Sequence, residues 1–257
     1  MIAIMLCAGY GTRLHPMTRH LPKGLLEVGG NPILDYQMPQ LLELPELESI
    51  HLVTNGHYTS HFYRWLEGWR PEIGRRGISM HIHNDGSLEE ENRLGAVGDL
   101  AFVCRHTGLQ RAVITAGDTI YRFPLSPIAQ EFLNENVNLI LALREPSYQV
   151  RQRYAVIEFG DGDRVARLHD RPESPPTEWV CPTLYFLQPE VLGRLNAYLE
   201  QGGDSDSMPA FLDFVMTDEP IRAVRKPDAR VWLDVETRYM FNKANEILEH
   251  EPVMIEA

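Results

Sequence analysis

Ile2-Ala-Ile-Met-Leu-Cys-Ala8 runs without a polar residue into Gly9-Tyr-Gly11-Thr12-Arg13-Leu14-His-Pro16-Met-Thr18, and Pro22-Lys23 follows. A short apolar run bounded by a glycine turn reads as a fully buried strand. Gly9 and Gly11 let the backbone take positive φ and come close to a ligand. Successive N–H groups in such a turn form a concavity that suits an anion. Arg13 and Lys23 add the positive charge that a phosphate chain needs. Alone, Gly-x-Gly also reads as a tight turn with solvated basic residues. It lacks the third glycine of a dinucleotide fingerprint and the Gly-Lys-Ser/Thr of a P-loop.

Outward from this turn, short apolar runs alternate with helical patterns. Pro32–Leu44 reads as a helix with Asn31 as its N-cap. Ser49–Thr54 is strand-like, His57–Trp69 helical, Ile78–His83 a strand, Gly95–Arg105 a helix and Ala112–Ala116 a strand. A helix at Pro127–Asn134 and a strand at Val137–Leu143 follow. Strands separated by helices of this length imply parallel βαβ units in a doubly wound sheet. Beyond about residue 146 the texture changes. Tyr154–Phe159 and Arg164–His169 flank Gly160-Asp-Gly-Asp163 and read as a hairpin. Arg171–Pro176 is a loop, Thr183–Leu187 a strand, Pro189–Glu200 a helix and Gln201–Ser207 a polar break. Ile221–Val224 and Val231–Asp234 read as short strands, and Thr237–Glu249 as a last helix.

The 257 residues suit one large domain or two small ones at about 150 per domain. We expect a single domain over 1–257, with a core at 1–146 and a β-rich lobe at 147–230. A strand and helix at 231–257 complete it. The net charge of −12 makes nucleic acid a poor partner, since phosphate-backbone affinity rests on excess Lys and Arg. Yet residues 1–26 hold Arg13, Arg19 and Lys23 and no Asp or Glu, so the acidity spares the glycine turn. Cys7, Cys104 and Cys181 are widely spaced, which argues against a disulfide framework or a cysteine zinc site. No apolar run approaches the roughly 18 residues of a membrane span, and the first eight residues lack a basic n-region. The expectation is a cytoplasmic protein that meets no membrane.

The whole string Gly9–Thr18 with Pro22-Lys23 resembles the signature of the sugar-phosphate nucleotidylyltransferases, the glucose-1-phosphate thymidylyl- and uridylyltransferases among them. Gly29-Gly30-Asn31-Pro32-Ile33-Leu34-Asp35-Tyr36 is similar to the segment that follows in that family. The resemblance implies a three-layer α/β/α sandwich, with a Rossmann-like, mainly parallel mixed sheet and a small sugar-binding β-rich lobe. It implies that Leu6, Ala8, Gly9, Gly11, Thr12, Arg13 and Lys23 bind the nucleotide, with Arg13, Lys23 and Asp118 catalytic.

Asp118 ends the run Ala112-Val-Ile-Thr-Ala-Gly117-Asp118, and the carboxyl end of a parallel strand faces the crevice where α/β proteins bind ligands. By itself Gly117-Asp118 also reads as a capped turn. Asp234 lies in Trp232-Leu-Asp234-Val-Glu236-Thr237, followed by Tyr239 and Ala244-Asn245, against a family pattern of Trp-x-Asp-Val/Ile-Gly-Thr. By itself it also reads as a helix N-cap. The resemblance makes Asp118 and Asp234 the two ligands of Mg²⁺, a hard cation content with one or two carboxylates plus phosphate oxygens. Glu236 departs from the pattern, which has glycine there.

Further departures cluster on the sugar side. Asp170-Arg171-Pro172 stands for the family's Glu-Lys-Pro, Tyr154-Ala155-Val156 for Tyr-Gly-Val, and Thr183-Leu-Tyr185 for Gly-Ile-Tyr. Tyr154, Ala155, Asp170, Arg171 and Thr183 are thereby the implied sugar-phosphate residues. The acceptor stays open, and Asp170-Arg171 alone reads as a surface ion pair. Leu94-Gly95-Ala-Val-Gly98 resembles the family's Leu-Gly-Thr-Ala-Gly near the nucleobase, which gives Leu94 and Gly95, with Gly117, to nucleotide binding. Glu89-Glu-Glu91 reads as a solvated charge run. His81 and His83 share a strand face with no third ligand at a useful spacing, so they read as ordinary strand residues.

The reaction implied joins a nucleoside triphosphate and a sugar 1-phosphate to give an NDP-sugar and pyrophosphate. Two other readings stay open: a cytidylyltransferase acting on a non-sugar phosphate such as phosphocholine, and a catalytically idle nucleotide-sugar sensor. The nucleobase and a homo-oligomeric state are also open.

Overall fold

The structure, a computed structural model, describes residues 1–226 and 232–250. The chain divides into two compact units drawn from interleaved stretches. One comprises Met1–Arg93, Thr115–Pro127 and Arg230–Ala257, and the other Leu94–Ile114 and Ile128–Ala229.

In the first unit the strand Ile2–Leu6 pairs in parallel with Ser49–Thr54, which pairs in parallel with Ser79–Asn84. Ile2, Ala3, Ile4 and Met5 are buried, as an all-apolar strand in a parallel sheet requires. The helices Ile33–Leu42 and Thr59–Arg75 make the crossovers between these strands. Trp65 and Trp69, one turn apart on the second helix, donate from Nε1 to the same Asp35 oxygen at 2.7 and 2.9 Å and tie the two helices together. The short strand Thr119–Tyr121 pairs antiparallel with Trp232–Asp234. The last helix, Arg238–His250, packs Ala244 and Leu248 into a cluster with Leu14, Leu26, Val28, Ile33, Tyr36, Ile120, Leu233 and Val235.

In the second unit Asn138–Arg144 pairs in parallel with Ile221–Lys226 and antiparallel with Trp179–Cys181 and Leu184–Leu187. The hairpin Ala155–Phe159 and Val165–Asp170 extends from Trp179–Cys181, with an irregularity between Val165 and Arg167. Helices Ala96–Thr107 and Met208–Val215 belong to this unit. These three parallel ladders run for five or six residues, and of these antiparallel ones the hairpin is as long. The fold is three-layer α/β, with a mixed, mainly parallel central sheet and flanking helices.

Several element limits differ from the pattern reading. Asn31 caps no helix: Asn31–Pro32 pairs with Glu27–Val28, and the helix begins at Ile33 without a side-chain cap. The second helix starts at Thr59, after a turn in which Asn55 Oδ1 accepts the Tyr58 N–H, and it continues through Pro71 to Arg75. Pro189–Glu200 is two short helices, Pro189–Leu192 and Leu195–Glu200. The break falls at Gly193, a poor helix former that packs against Leu109. Strands Thr119–Tyr121 and Trp179–Cys181, three residues each, are too short to show a period. Val231, the first residue of an expected strand, lies outside the described residues.

Candidate functional site

The strand Ile2–Leu6 delivers the chain to a turn that is fastened from below. The Ala8 carbonyl accepts from Asn55 Nδ2 at 2.8 Å, and Asn55 is fully buried. Gly11 takes φ +64, and a Cβ there would sit 3.0 Å from Thr18 Cγ2. The Thr18 hydroxyl donates to the Gly11 carbonyl at 2.7 Å, while the Tyr58 hydroxyl donates to the Thr18 carbonyl. The loop thus folds back on itself between Gly11 and Thr18, leaving Gly9, Thr12 and Arg13 exposed. Thr12 Oγ1 donates to Glu90 at 3.2 Å, which gives one member of the Glu89–Glu91 run a partner in the loop.

The second strand end is brought alongside by two close approaches. The Gly117 N–H donates to the Leu6 carbonyl at 2.9 Å, and a Cβ on Gly117 would lie 2.4 Å from Cys7 Sγ. Only glycine fits there, and its role is to let the Asp118 turn press against the first strand. Gln37, buried on the first helix, donates to the carbonyls of Ala116 and Thr119 at 2.7 and 2.6 Å and so holds both sides of that turn. Asp118 then reaches the Lys23 ammonium, which donates to its Oδ2.

Asp234 arrives on the strand paired with Thr119–Tyr121. It stands opposite Thr119, and the Val235 N–H donates to the Asp118 carbonyl at 3.0 Å. Burial opposes the charge on Lys23, but the carboxylates of Asp118, Asp234 and Glu236 outweigh it and raise the ammonium above its ordinary range. Burial likewise opposes the charge on Asp118, and the Lys23 charge and hydrogen bond override it and hold the carboxyl below its usual range. Arg13, at the outer lip, is paired with Glu236.

The donor set fits a hard cation. Asp118 offers carboxylate oxygens from the turn before Thr119–Tyr121 and Asp234 from the strand paired with it, and magnesium uses one or two carboxylates with phosphate oxygens and water. Among the described residues no group of three or more His, Cys, Asp or Glu forms a metal cage. A cation here would therefore draw its remaining ligands from a bound phosphate and water.

The residues expected on the sugar side lie in the other unit. Asp170 stands opposite Ala155 at the open end of the hairpin, and the Arg171 N–H donates to the Tyr154 carbonyl at 3.2 Å. Ala155 is also opposite Cys181, with Thr183 two residues beyond. The five are thus gathered around one strand end. Arg171 takes φ +45, unusual for a side chain of its size. Asp170 accepts from the Ser207 hydroxyl at 2.7 Å, and that hydroxyl caps the helix Met208–Val215. Gly95, at φ +79, starts the helix Ala96–Thr107, where a Cβ would lie 2.4 Å from the Ser205 carbonyl oxygen. That carbonyl accepts from the N–H groups of Val97 and Gly98, so these first-turn donors are already used.

Sequence reasoning missed Gln37, Asn55 and Thr18, whose side chains fix the two loops. It also missed the neighbour of His81 and His83. His51, register partner of His81, stacks on it at 5.0 Å and meets His83 Nε2 through Nδ1 at 2.9 Å. The pairing of two strands puts the third imidazole there, and nothing in the spacing shows it.

A family model described as nucleotidyl transferase matches residues 2–251. A UTP–glucose-1-phosphate uridylyltransferase of Haloferax volcanii is 26% identical over 203 residues, covering 74% of this chain and 73% of that protein. A glucose-1-phosphate thymidylyltransferase of Mycobacterium tuberculosis is 28% identical over 197 residues, 75% of this chain and 62% of its own length. Among solved structures, a UDP-glucose pyrophosphorylase complexed with UDP-glucose superposes with a TM-score of 0.80 at 15% identity, covering 97% of this chain and 98% of that one.

Proposed function

Because the chain belongs to the nucleotidyl transferase family, we propose that it transfers a nucleoside monophosphate from a nucleoside triphosphate to a sugar 1-phosphate. The products are an NDP-sugar and pyrophosphate. The observation that carries the reading is Lys23 held against Asp118, with Asp234 on the adjoining strand, below the glycine turn. Both curated relatives described above are named for this reaction type.

The chemistry asks little beyond placement and charge. A phosphate monoester is largely ionised near neutral pH, so its oxygen can attack the α-phosphorus without a general base. A P–O bond forms as the bond to the bridging oxygen breaks, and the electron pair leaves with pyrophosphate. Gly9 and Gly11 hold the triphosphate through their backbone, with Leu6, Ala8, Thr12 and Gly117 around it and Leu94 and Gly95 toward the base. Arg13 stabilises the departing pyrophosphate, and Lys23 spans phosphates near the reacting phosphorus. Asp118 and Asp234 would hold magnesium, which when bound offsets the repulsion between two anions. Arg171 takes the sugar phosphate and Asp170 a sugar hydroxyl, with Tyr154, Ala155 and Thr183 shaping the acceptor site.

Among the described residues no helix is long and apolar enough to cross a membrane. Burial pushes the Cys104 thiol up to about 12, and Cys181 is raised by the same cause, so both are inert thiols. The test is a pyrophosphate-release assay with magnesium across UTP, dTTP, CTP and GTP, using glucose 1-phosphate, other sugar 1-phosphates and phosphocholine as acceptors. Release with a sugar 1-phosphate supports the reading. Release with phosphocholine alone would replace it with the cytidylyltransferase, and nucleotide binding without release would make the chain a sensor.

A further inference from the structure

Glu236 occupies the position where the sequence pattern has glycine, and its carboxylate is bound to the guanidinium of Arg13. Arg13 is 61% exposed and Glu236 28%, so the pair stands at the edge of solvent and is readily exchanged. Below it, Lys23 is held by Asp118, with Asp234 and Glu236 also acting on it. The mouth therefore sets two cations against three carboxylates, and each cation already has an anionic partner. A metal-free triphosphate arriving here meets a net negative site. With glycine at 236, Arg13 would lack this partner and the charges would balance.

We propose that Glu236 makes nucleotide binding itself depend on the divalent cation. Arg13 exchanges Glu236 for phosphate oxygens when the nucleotide arrives as its magnesium complex, whose lower charge the site tolerates. A bare triphosphate is refused. Glu236 is thus a specificity-determining residue for the form of the substrate, and its side chain acts through Arg13. The inference rests on the reading that this site takes a nucleoside triphosphate.

The test is equilibrium binding, without turnover. UTP, dTTP, CTP and GTP are each titrated calorimetrically into the protein in EDTA and again in excess magnesium. The proteins are the wild type, Glu236→Gln, Glu236→Gly and the surface control Glu67→Gln, with thermal melts confirming that each is folded. Removing the competing carboxylate should tighten metal-free binding about tenfold or more in both Glu236 variants and leave the control like the wild type. Unchanged metal-free affinity in both Glu236 variants overturns the inference. So does a narrowing of the gap that comes from weaker binding of the magnesium complex, because Glu236 would then face the metal directly. If the folded wild type binds neither form, the functional reading falls first and the inference with it.

Discussion

Lys23 and Asp118 lie far apart in sequence and share a hydrogen bond that satisfies two charges in a site largely removed from water. Each is held ionised by the other, which suits residues whose proposed task is to carry charge rather than protons. Lys23→Ala and Asp118→Asn should each lower kcat by about 10²–10³, the usual cost of losing one preorganised charged contact. Melting curves should show that both variants keep their fold, and wild-type turnover in both would remove these residues from the mechanism. Gln37 makes a different demand. Its amide is buried and bridges two carbonyls on either side of Gly117-Asp118. Gln37→Leu removes the amide donor from both carbonyls, and Gln37→Glu keeps the volume without that donor, so each should cost about 2–4 kcal/mol in urea unfolding. A negligible loss for Gln37→Glu would show that the donor is unimportant. Arg13, Lys23, Asp118 and Asp234 stand out in the sequence because their strings resemble a family signature, and the structure brings Lys23 to Asp118 and Asp234 opposite Thr119. Gln37 and the pairing of Glu236 do not, because a hydrogen bond spanning dozens or hundreds of residues leaves no local trace.

Among the elements, the longer buried strands and the hairpin were read within a residue or two, since an apolar run and a Gly-Asp turn are local signals, while the three-residue strands Thr119–Tyr121 and Trp179–Cys181 were missed. The helix ends were read less well: Pro71 does not end its helix, while Gly193 divides one. The edge strand Ser79–Asn84 carries the least legible feature, because its histidines acquire meaning only from the strand beside it. His51 is buried between His81 and His83, with Ser49 Oγ at 2.8 Å from its Nε2. Burial first, then repulsion from His83 and His81, lowers its pKa to about 4. An unfolded histidine titrates near 6.5. Between these values the unfolded chain binds the extra proton, so this contribution is complete above about pH 6.5 and is lost as pH falls toward 4. Urea midpoints should therefore drop between pH 7.5 and pH 5, and His51→Asn should drop less over the same interval. Parallel slopes for the two proteins would place the acid sensitivity elsewhere.

For the whole molecule, local pattern offers only consecutive blocks, whereas packing gathers stretches from both ends of the chain. Leu14 follows the glycine turn, Ile120 follows Asp118, Leu233 precedes Asp234 and Leu248 lies on the last helix, yet all four share one cluster. The Gly29 N–H donates to Asn245 Oδ1 at 2.9 Å, and a Cβ on Gly29 would come within 2.8 Å of Leu248 Cβ, so the last helix is pressed closely on the early chain. The strand that follows Asp118 and the strand that carries Asp234 are thus supported by a helix that contributes none of the proposed catalytic groups. Leu248→Ala should cost about 2–5 kcal/mol, the range for emptying a buried leucine site. The loss should be local: amide exchange should quicken in Thr119–Tyr121 and Trp232–Asp234 and stay slow in Asn138–Arg144, which belongs to the other unit. Turnover should fall with it, because the spacing of the two carboxylates rests on this cluster. An unchanged unfolding midpoint, or exchange that quickens equally in both units, would show that the last helix does not brace the site.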